Sequence, residues 1–215
     1  MTPDQWFVDR LYKLNQLVAA CGEPVEGNLF YEHHDASFPH AKLSDRFEKK
    51  RQNLLACCRG RTHLLEIGIN AGHSALWVLH NNPEIVYHGI DLFKHRYTSP
   101  AIQFLKDTFG ERVRYHSGNS MMILPQLRAY NPQLCYDVIH IDGGHSLDCC
   151  KADTYNALSL AAPNAWILID DTDLPQIREI SEILVHDGIL TSHKPEGWQD
   201  GSLQAVGTPG RNQKK

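Results

Sequence analysis

From residue 63 onward the chain repeats one arrangement. A short apolar run comes first, a glycine-rich or acidic punctuation follows, and an amphipathic stretch completes the unit. The apolar runs are Leu64-Leu65-Glu66-Ile67, Val86–Ile90, Val113–His116, Asp137-Val138-Ile139-His140-Ile141 and Ala165-Trp166-Ile167-Leu168-Ile169. Residues 74–80, 100–108, 120–130, 146–161 and 175–186 lie between or after them with helical spacing, Pro125 disturbing the third. In the fourth, Cys150, Thr154, Ala157, Leu158 and Ala161 form the inner face. Strands that alternate with helices build βαβ units with parallel strands, and continuous apolar runs mark strands covered on both faces. The expectation is an α/β fold: a Rossmann-like, mostly parallel seven-stranded sheet with helices on both faces. Two late strands, Ile189–Ser192 and Leu203–Val206, flank a Gly197–Gly201 loop.

Extra N-terminal helices precede this pattern. Phe7, Leu11, Leu14 and Val18 share one face of a helix over residues 4–20, which either covers its own sheet or pairs with a second copy of the chain. Residues 21–42 lack a period and read as a long loop, and residues 44–58 as a helix with Ser44 as its N-cap. The expected division is an N-terminal helical or lid segment over 1–59, a ligand-binding domain over 60–207 and a flexible tail over 208–215. The 21–42 loop holds Tyr31, Glu32, His33, His34, Asp35 and His40, which either close over a ligand or lie at the surface.

Composition narrows the partners. The 215 residues include 25 acids against 21 lysines and arginines, a formal charge of −4. A nucleic-acid binder ordinarily shows a basic excess. The basic cluster Glu48-Lys49-Lys50-Arg51 and the Lys214-Lys215 ending read as solvated surface, so a small molecule is the expected partner. No run nears the roughly 18 apolar residues of a membrane span, and the start has no basic n-region. The six cysteines include no C-x-x-C pair, which argues against a zinc site or a disulfide framework and for a cytoplasmic setting.

Ligands of such sheets sit beyond the carboxyl ends of the strands. Those ends carry Gly68–Gly72, Asp91, Gly118-Asn119-Ser120, Asp142-Gly143-Gly144-His145 and Asp170-Asp171. The first loop, Gly68-Ile69-Asn70-Ala71-Gly72, departs from G-x-G-x-x-G because Asn70 places a side chain where a pyrophosphate would approach. No G-K-[ST] follows. The loop still opens a helix, whose N-terminus favours a carboxylate. Asp91 lies about 20 residues downstream, where an acid accepts from ribose hydroxyls. Loop and acid together suggest a ligand with a ribose and no pyrophosphate.

Leu65-Glu66-Ile67-Gly68-Ile69-Asn70-Ala71-Gly72-His73-Ser74 resembles the first motif of class I S-adenosylmethionine-dependent methyltransferases. The branch it is most similar to is that of the metal-dependent catechol- and macrolide-sugar-type O-methyltransferases. The resemblance covers about residues 60–206. It implies that Gly68, Asn70, Gly72 and Ser74 lie around the methionine end of S-adenosylmethionine with Glu66 beneath. Asp91 is then at the ribose, with Asn119 and Ser120 beside the adenine. Many relatives carry Asp in place of Asn119.

Asp142, Asp170 and Asp171 end two strands expected to be neighbours. Three converging carboxylates repel unless something neutralises them. A hard divalent cation, Mg²⁺ or else Ca²⁺ or Mn²⁺, does so with oxygen ligands, and the metal-dependent branch places D … D-[DN] in this arrangement. His145, in the D-G-x-H pattern of the macrolide-sugar branch, is either the general base for an acceptor hydroxyl or a residue that orients Asp142. Other roles for the acids stay open: Asp171 or Asp173 as helix caps, Asp142 as a partner of the cofactor amine. Trp198 is a candidate to stack on an acceptor; Trp77 and Trp166 read as core, and Cys149-Cys150 as buried. The reading is O-methylation of a hydroxyl on a small molecule such as a sugar, polyol or phenol. The alternatives are a metal-independent methyltransferase acting on nitrogen or a carboxyl group, or a non-catalytic S-adenosylmethionine-binding protein.

Overall fold

A computed structural model describes residues 4–31 and 43–210. Helix α1 (Gln5–Ala20) starts at Asp4, whose carboxylate accepts from Phe7 N at 2.8 Å, and buries Phe7, Leu11, Leu14 and Val18. Each such side chain contributes about 1.5–3 kcal/mol of burial. That face packs on α3 and α4 of the same chain. Ser44 caps a short 3₁₀ turn, Asp45–Phe47, that leads into α2 (Glu48–Cys58).

The remaining elements alternate: β1 (His63–Ile67), α3 (His73–Asn81), β2 (Val86–Asp91), α4 (Thr98–Phe109), β3 (Val113–Ser117), α5 (Ser120–Tyr130), β4 (Tyr136–Ile141), α6 (Leu147–Leu158), β5 (Ala161–Ile169), α7 (Pro175–His186), β6 (Leu190–Ser192) and β7 (Ala205–Pro209). The sheet order among the described residues is β3-β2-β1-β4-β5-β7-β6. The first five strands are parallel, and β7 runs against both β5 and β6. Alternate strand residues feed two cores. Leu64, Val138 and Leu168 face α1 to α4, whereas Leu65, Ile139 and Ile167 face α5 to α7. No helix among the described residues is long and apolar enough to cross a membrane.

Three local expectations are corrected. The helix expected over 146–161 ends at Leu158, and Ala161 opens a longer β5 by pairing with Tyr136. Its register shifts before Val138 meets Trp166, and Pro163, which has no ladder donor, falls in that irregular stretch. Pro125 lies inside α5 without ending it; the helix bond it forfeits is one to Met121, which water reaches. The basic cluster on α2 is not a solvated surface: Lys50 is 9% and Arg51 4% exposed. Arg51 donates to the carbonyls of Leu29 and Ser44 and to Glu48, so its charge is met inside the protein.

Candidate functional site

The strand order turns between β1 and β4, and there the chain leaves a cleft of about 690 Å³. That volume suits a cofactor with a small second ligand. The two strand ends nearly touch. Gly68 has φ +94°, and a Cβ on it would stand 2.0 Å from the carbonyl oxygen of Asp142. Only glycine fits that approach. Gly72 (φ +74°) faces Leu105 of α4 and does not line the cleft, so it serves the turn and helix packing. Ser74 and Asn70 do line it. Asn70 donates through Nδ2 to the carbonyls of Glu26 and Gly27, tying this loop to the segment 26–31 that borders the cleft.

Asp91 does more locally than a ribose partner. Its Oδ2 accepts from Ile69 N and Asn70 N, each at 2.9 Å, and its Oδ1 from Phe93 N at 2.6 Å. An ionised carboxylate offers about four acceptor sites, so one remains for a ligand. Asn119 caps α5 by accepting from Met121 N at 2.9 Å and lines the cleft with Ser120. Beneath them lies Asp153, 1% exposed, whose Oδ1 has no hydrogen-bond partner. Asn70 Oδ1 is likewise unpartnered. Two buried acceptors lining a cleft fit a ligand that brings its own N–H groups, as S-adenosylmethionine does through its ammonium and its adenine amine.

Glu66 is fully buried and does not line the cleft. It accepts from Tyr87 Oη at 2.5 Å and pairs with His140 Nδ1 at 2.8 Å. Gly89, its register partner, permits this, since a Cβ there would meet Tyr87 Oη at 2.7 Å. His140 Nε2 stands 3.6 Å from Asp170, an ion-pair distance. Burial works against a charged imidazole here, but Asp170 and Glu66 outweigh it and push His140 to about 10.

Asp142, Asp170 and Asp171 do converge, and Lys50 lies among them. Its Nζ is 2.5 Å from Asp170 Oδ1 and 2.8 Å from Asp171 Oδ1. Burial opposes the ammonium, yet the two carboxylates raise its pKa further. Asp142 goes the other way: burial, with Asp170 and Asp171 adding to it, holds its carboxyl well above the usual range. The neutralisation that the sequence assigned to a metal is thus supplied by the chain itself. The set His140, Asp142 and Asp170 has ligand atoms within 4.8 Å of one another, but Oδ1 of Asp170 and of Asp171 is already taken by the Lys50 ammonium. In this arrangement the residues do not fit a resident divalent ion.

Asp171 (φ +57°) caps no helix. Leu174 occupies the N-cap of α7 without a side-chain bond. The Asp171 Oδ2 atom instead lies 3.2 Å from Nε2 of His145, which is about half exposed at the cleft. This contact raises His145 above its ordinary pKa and, with Lys50, holds Asp171 well below the carboxylate range. Trp198 packs on the core and is not a cleft residue. Cys150 is buried, whereas Cys149 lines the cleft beside Asp153. Tyr31 lines it too; Glu32, His33, His34, Asp35 and His40 lie outside the described residues.

Sequence reasoning missed Lys50, His140 and Asp153. A signal existed for the first two. Lys50 precedes Leu54 by four residues and Cys57 by seven, one helical face, and Glu66 and His140 are the inner polar residues of otherwise apolar strands.

The methyltransferase-domain family matches residues 65–172. No curated protein matches the chain. Among solved structures, an O-methyltransferase from Bacillus cereus in complex with S-adenosylhomocysteine shares 19% identity over 97% of this chain and 93% of its own, with a TM-score of 0.66. The O-methyltransferase of tomaymycin synthesis from Streptomyces achromogenes, in complex with S-adenosylmethionine, also shares 19%, over 97% of this chain and 91% of its own, with a TM-score of 0.66. A TDP-rhamnose 3′-O-methyltransferase of calicheamicin biosynthesis shares 13%, over 99% and 97%, with a TM-score of 0.61. At these identities the likeness is one of fold.

Proposed function

Because this chain belongs to the methyltransferase-domain family, we propose that it transfers the methyl group of S-adenosylmethionine to a hydroxyl of a small molecule such as a sugar, polyol or phenol. The observation that carries the reading is the His145–Asp171 pair on the same cleft that the Gly68–Ser74 loop borders. The names of the solved neighbours, all O-methyltransferases, support oxygen as the acceptor atom.

S-adenosylmethionine, when bound, supplies an electrophilic methyl carbon on a sulfonium. The chain does the rest. Gly68 and Ser74 border its methionine end, and Asn70 Oδ1 offers an acceptor to the ammonium. Asp91 keeps one acceptor site for the ribose. Asn119, Ser120 and Asp153 flank the adenine. Glu66 and Gly72 support this wall without touching the ligand. His145 donates Nε2–H to Asp171, which leaves Nδ1 to take the acceptor's hydroxyl proton. Asp171 stabilises the imidazolium that results. Asp142, on the floor between the two ligands, holds the acceptor by a hydrogen bond. Fixing both reactants in one line supplies much of the acceleration. No step is assigned to a divalent ion, for the reason given by Lys50.

Titration calorimetry of S-adenosylhomocysteine into the purified chain, with NAD as control, tests this first. Micromolar binding of the former alone is expected, and turnover with a hydroxyl panel then identifies the acceptor. Absence of S-adenosylhomocysteine binding would refute the reading.

A further inference from the structure

We propose that Lys50 is the resident cation of the acidic cluster, standing where a divalent ion was expected, so that methyl transfer in this protein runs without a metal. The inference rests on the methyl-transfer reading above for its consequence and on geometry for its substance.

Place comes first. A divalent ion binds carboxylate oxygens at about 2.0–2.6 Å. The oxygens that would bridge one, Oδ1 of Asp170 and of Asp171, already lie 2.5 and 2.8 Å from Lys50 Nζ. An ion on the same two oxygens would occupy the ammonium's own position. The two cations exclude one another.

The ammonium is also fixed there. Only 11% of the Lys50 side chain and 2% of that of Asp170 is exposed. Helix α2 is pinned on both sides of the lysine. Arg51 donates to the carbonyls of Leu29 and Ser44. Asn53, wholly buried, donates to Gln199 O at 3.0 Å and to Ser202 Oγ at 2.8 Å and accepts from Gln199 N at 2.6 Å. Lys49 reaches Asp200 O at 2.8 Å. Asp170 is itself held from behind by His140 and Gln204. A surface lysine that had merely folded inward would need no such frame.

The consequence concerns the acceptor. An ammonium has three protons in tetrahedral directions. Two are directed at Asp170 and Asp171, and Lys50 lines the cleft beside His145. The third is directed at the oxygen of an acceptor whose proton passes to His145. One positive charge, delivered through a hydrogen bond, lowers the cost of that deprotonation as a metal would, with a softer hold on geometry. Lys50 is a positioning residue for the acceptor.

The full chain, freed of metal by chelation and dialysis, is titrated with Mn²⁺, with free Mn²⁺ read by electron paramagnetic resonance. S-adenosylhomocysteine is titrated into the same samples. For the unaltered protein, Mn²⁺ binding weaker than millimolar is expected. Lys50→Ala and Lys50→Met should bind Mn²⁺ tighter by about tenfold or more, the effect of removing a like charge from the site. Chelator should leave the unaltered protein's turnover unchanged. Stoichiometric micromolar Mn²⁺ binding by the unaltered protein overturns the proposal, whatever the variants do. So does a gain in neither variant when near-ultraviolet circular dichroism shows both folded. Loss of S-adenosylhomocysteine binding in the unaltered protein counts against the cofactor reading and leaves the Mn²⁺ result to decide the role of Lys50.

Discussion

Gly68 is the residue at which this chain has the least freedom. A side chain there meets the Asp142 carbonyl at 2.0 Å, and its φ of +94° strains any other residue. Gly68→Ala is expected to cost more than about 3 kcal/mol by denaturant unfolding; a loss below 1 kcal/mol would show that the β1–β4 junction opens easily. His145 is constrained by chemistry instead of space. His145→Ala is expected to lower turnover by about 10²–10⁴-fold while S-adenosylhomocysteine binds as before. Near-normal turnover would remove it as the base. The residues around the cleft were legible to different degrees. Gly68, Asp142, Asp170, Asp171 and His145 announce themselves as polar or glycine residues beyond strand ends. Lys50 does not, because a lysine on an N-terminal helix reads as surface until its helix is seen to dock against β5.

At the scale of elements, β2 carries a pH dependence that the cleft does not share. His88 is buried under α5, and Tyr136, whose phenol burial keeps protonated, donates to its Nδ1. Burial, with help from His116 and Arg114, pushes His88 down to about 4. The unfolded chain takes up a proton near pH 6.5 and the folded one near 4, so stability is lost as pH falls through that window. The loss from this residue is on the order of 3 kcal/mol. Unfolding free energies from pH 7 to 4 should show it, and His88→Gln should flatten the slope; an unchanged slope would place the acid sensitivity elsewhere. Helix α2 supplies the second case. Asn53→Ala would strip buried groups around Gln199 and Ser202 of their partner, at about 2–3 kcal/mol, read as a shifted denaturant midpoint. A shift under 0.5 kcal/mol would mean that α2 is held by its apolar face alone. Element types and most boundaries followed from periodicity. Helix 146–161 overran because Ala161 continues the helical spacing while its backbone is claimed by Tyr136 across the sheet, and the strand expected at Leu203–Val206 lies instead at Ala205–Pro209.

For the whole molecule, the cleft is built from the ends of the five parallel strands at once, so a ligand there stabilises that part of the sheet as a unit. S-adenosylhomocysteine at a hundredfold excess over its dissociation constant should add about 2.7 kcal/mol, or about 5–10 °C in Tm for a chain of this size. A scan with no shift would speak against a ligand that bridges β1, β2 and β4. The formal charge of −4 kept nucleic acid out of consideration. Charge balance inside the protein was another matter, since it depends on which side chains meet.

The sequence by itself determined the α/β order, the parallel sheet and the row of acids and glycines along one edge. These follow from short-range physics: hydrophobic period fixes the element, and the end of a strand fixes where its next residue lies. Which groups neutralise the acids was decided only by the tertiary structure. Lys50 lies 120 residues before Asp170, and no local pattern ties them. Their meeting depends on α2 docking across the sheet through Arg51 and Asn53. The same holds for Glu66 and His140, adjacent only because β1 and β4 pair in register. Periodicity is local, whereas electrostatic compensation is a property of distances that only the folded chain sets.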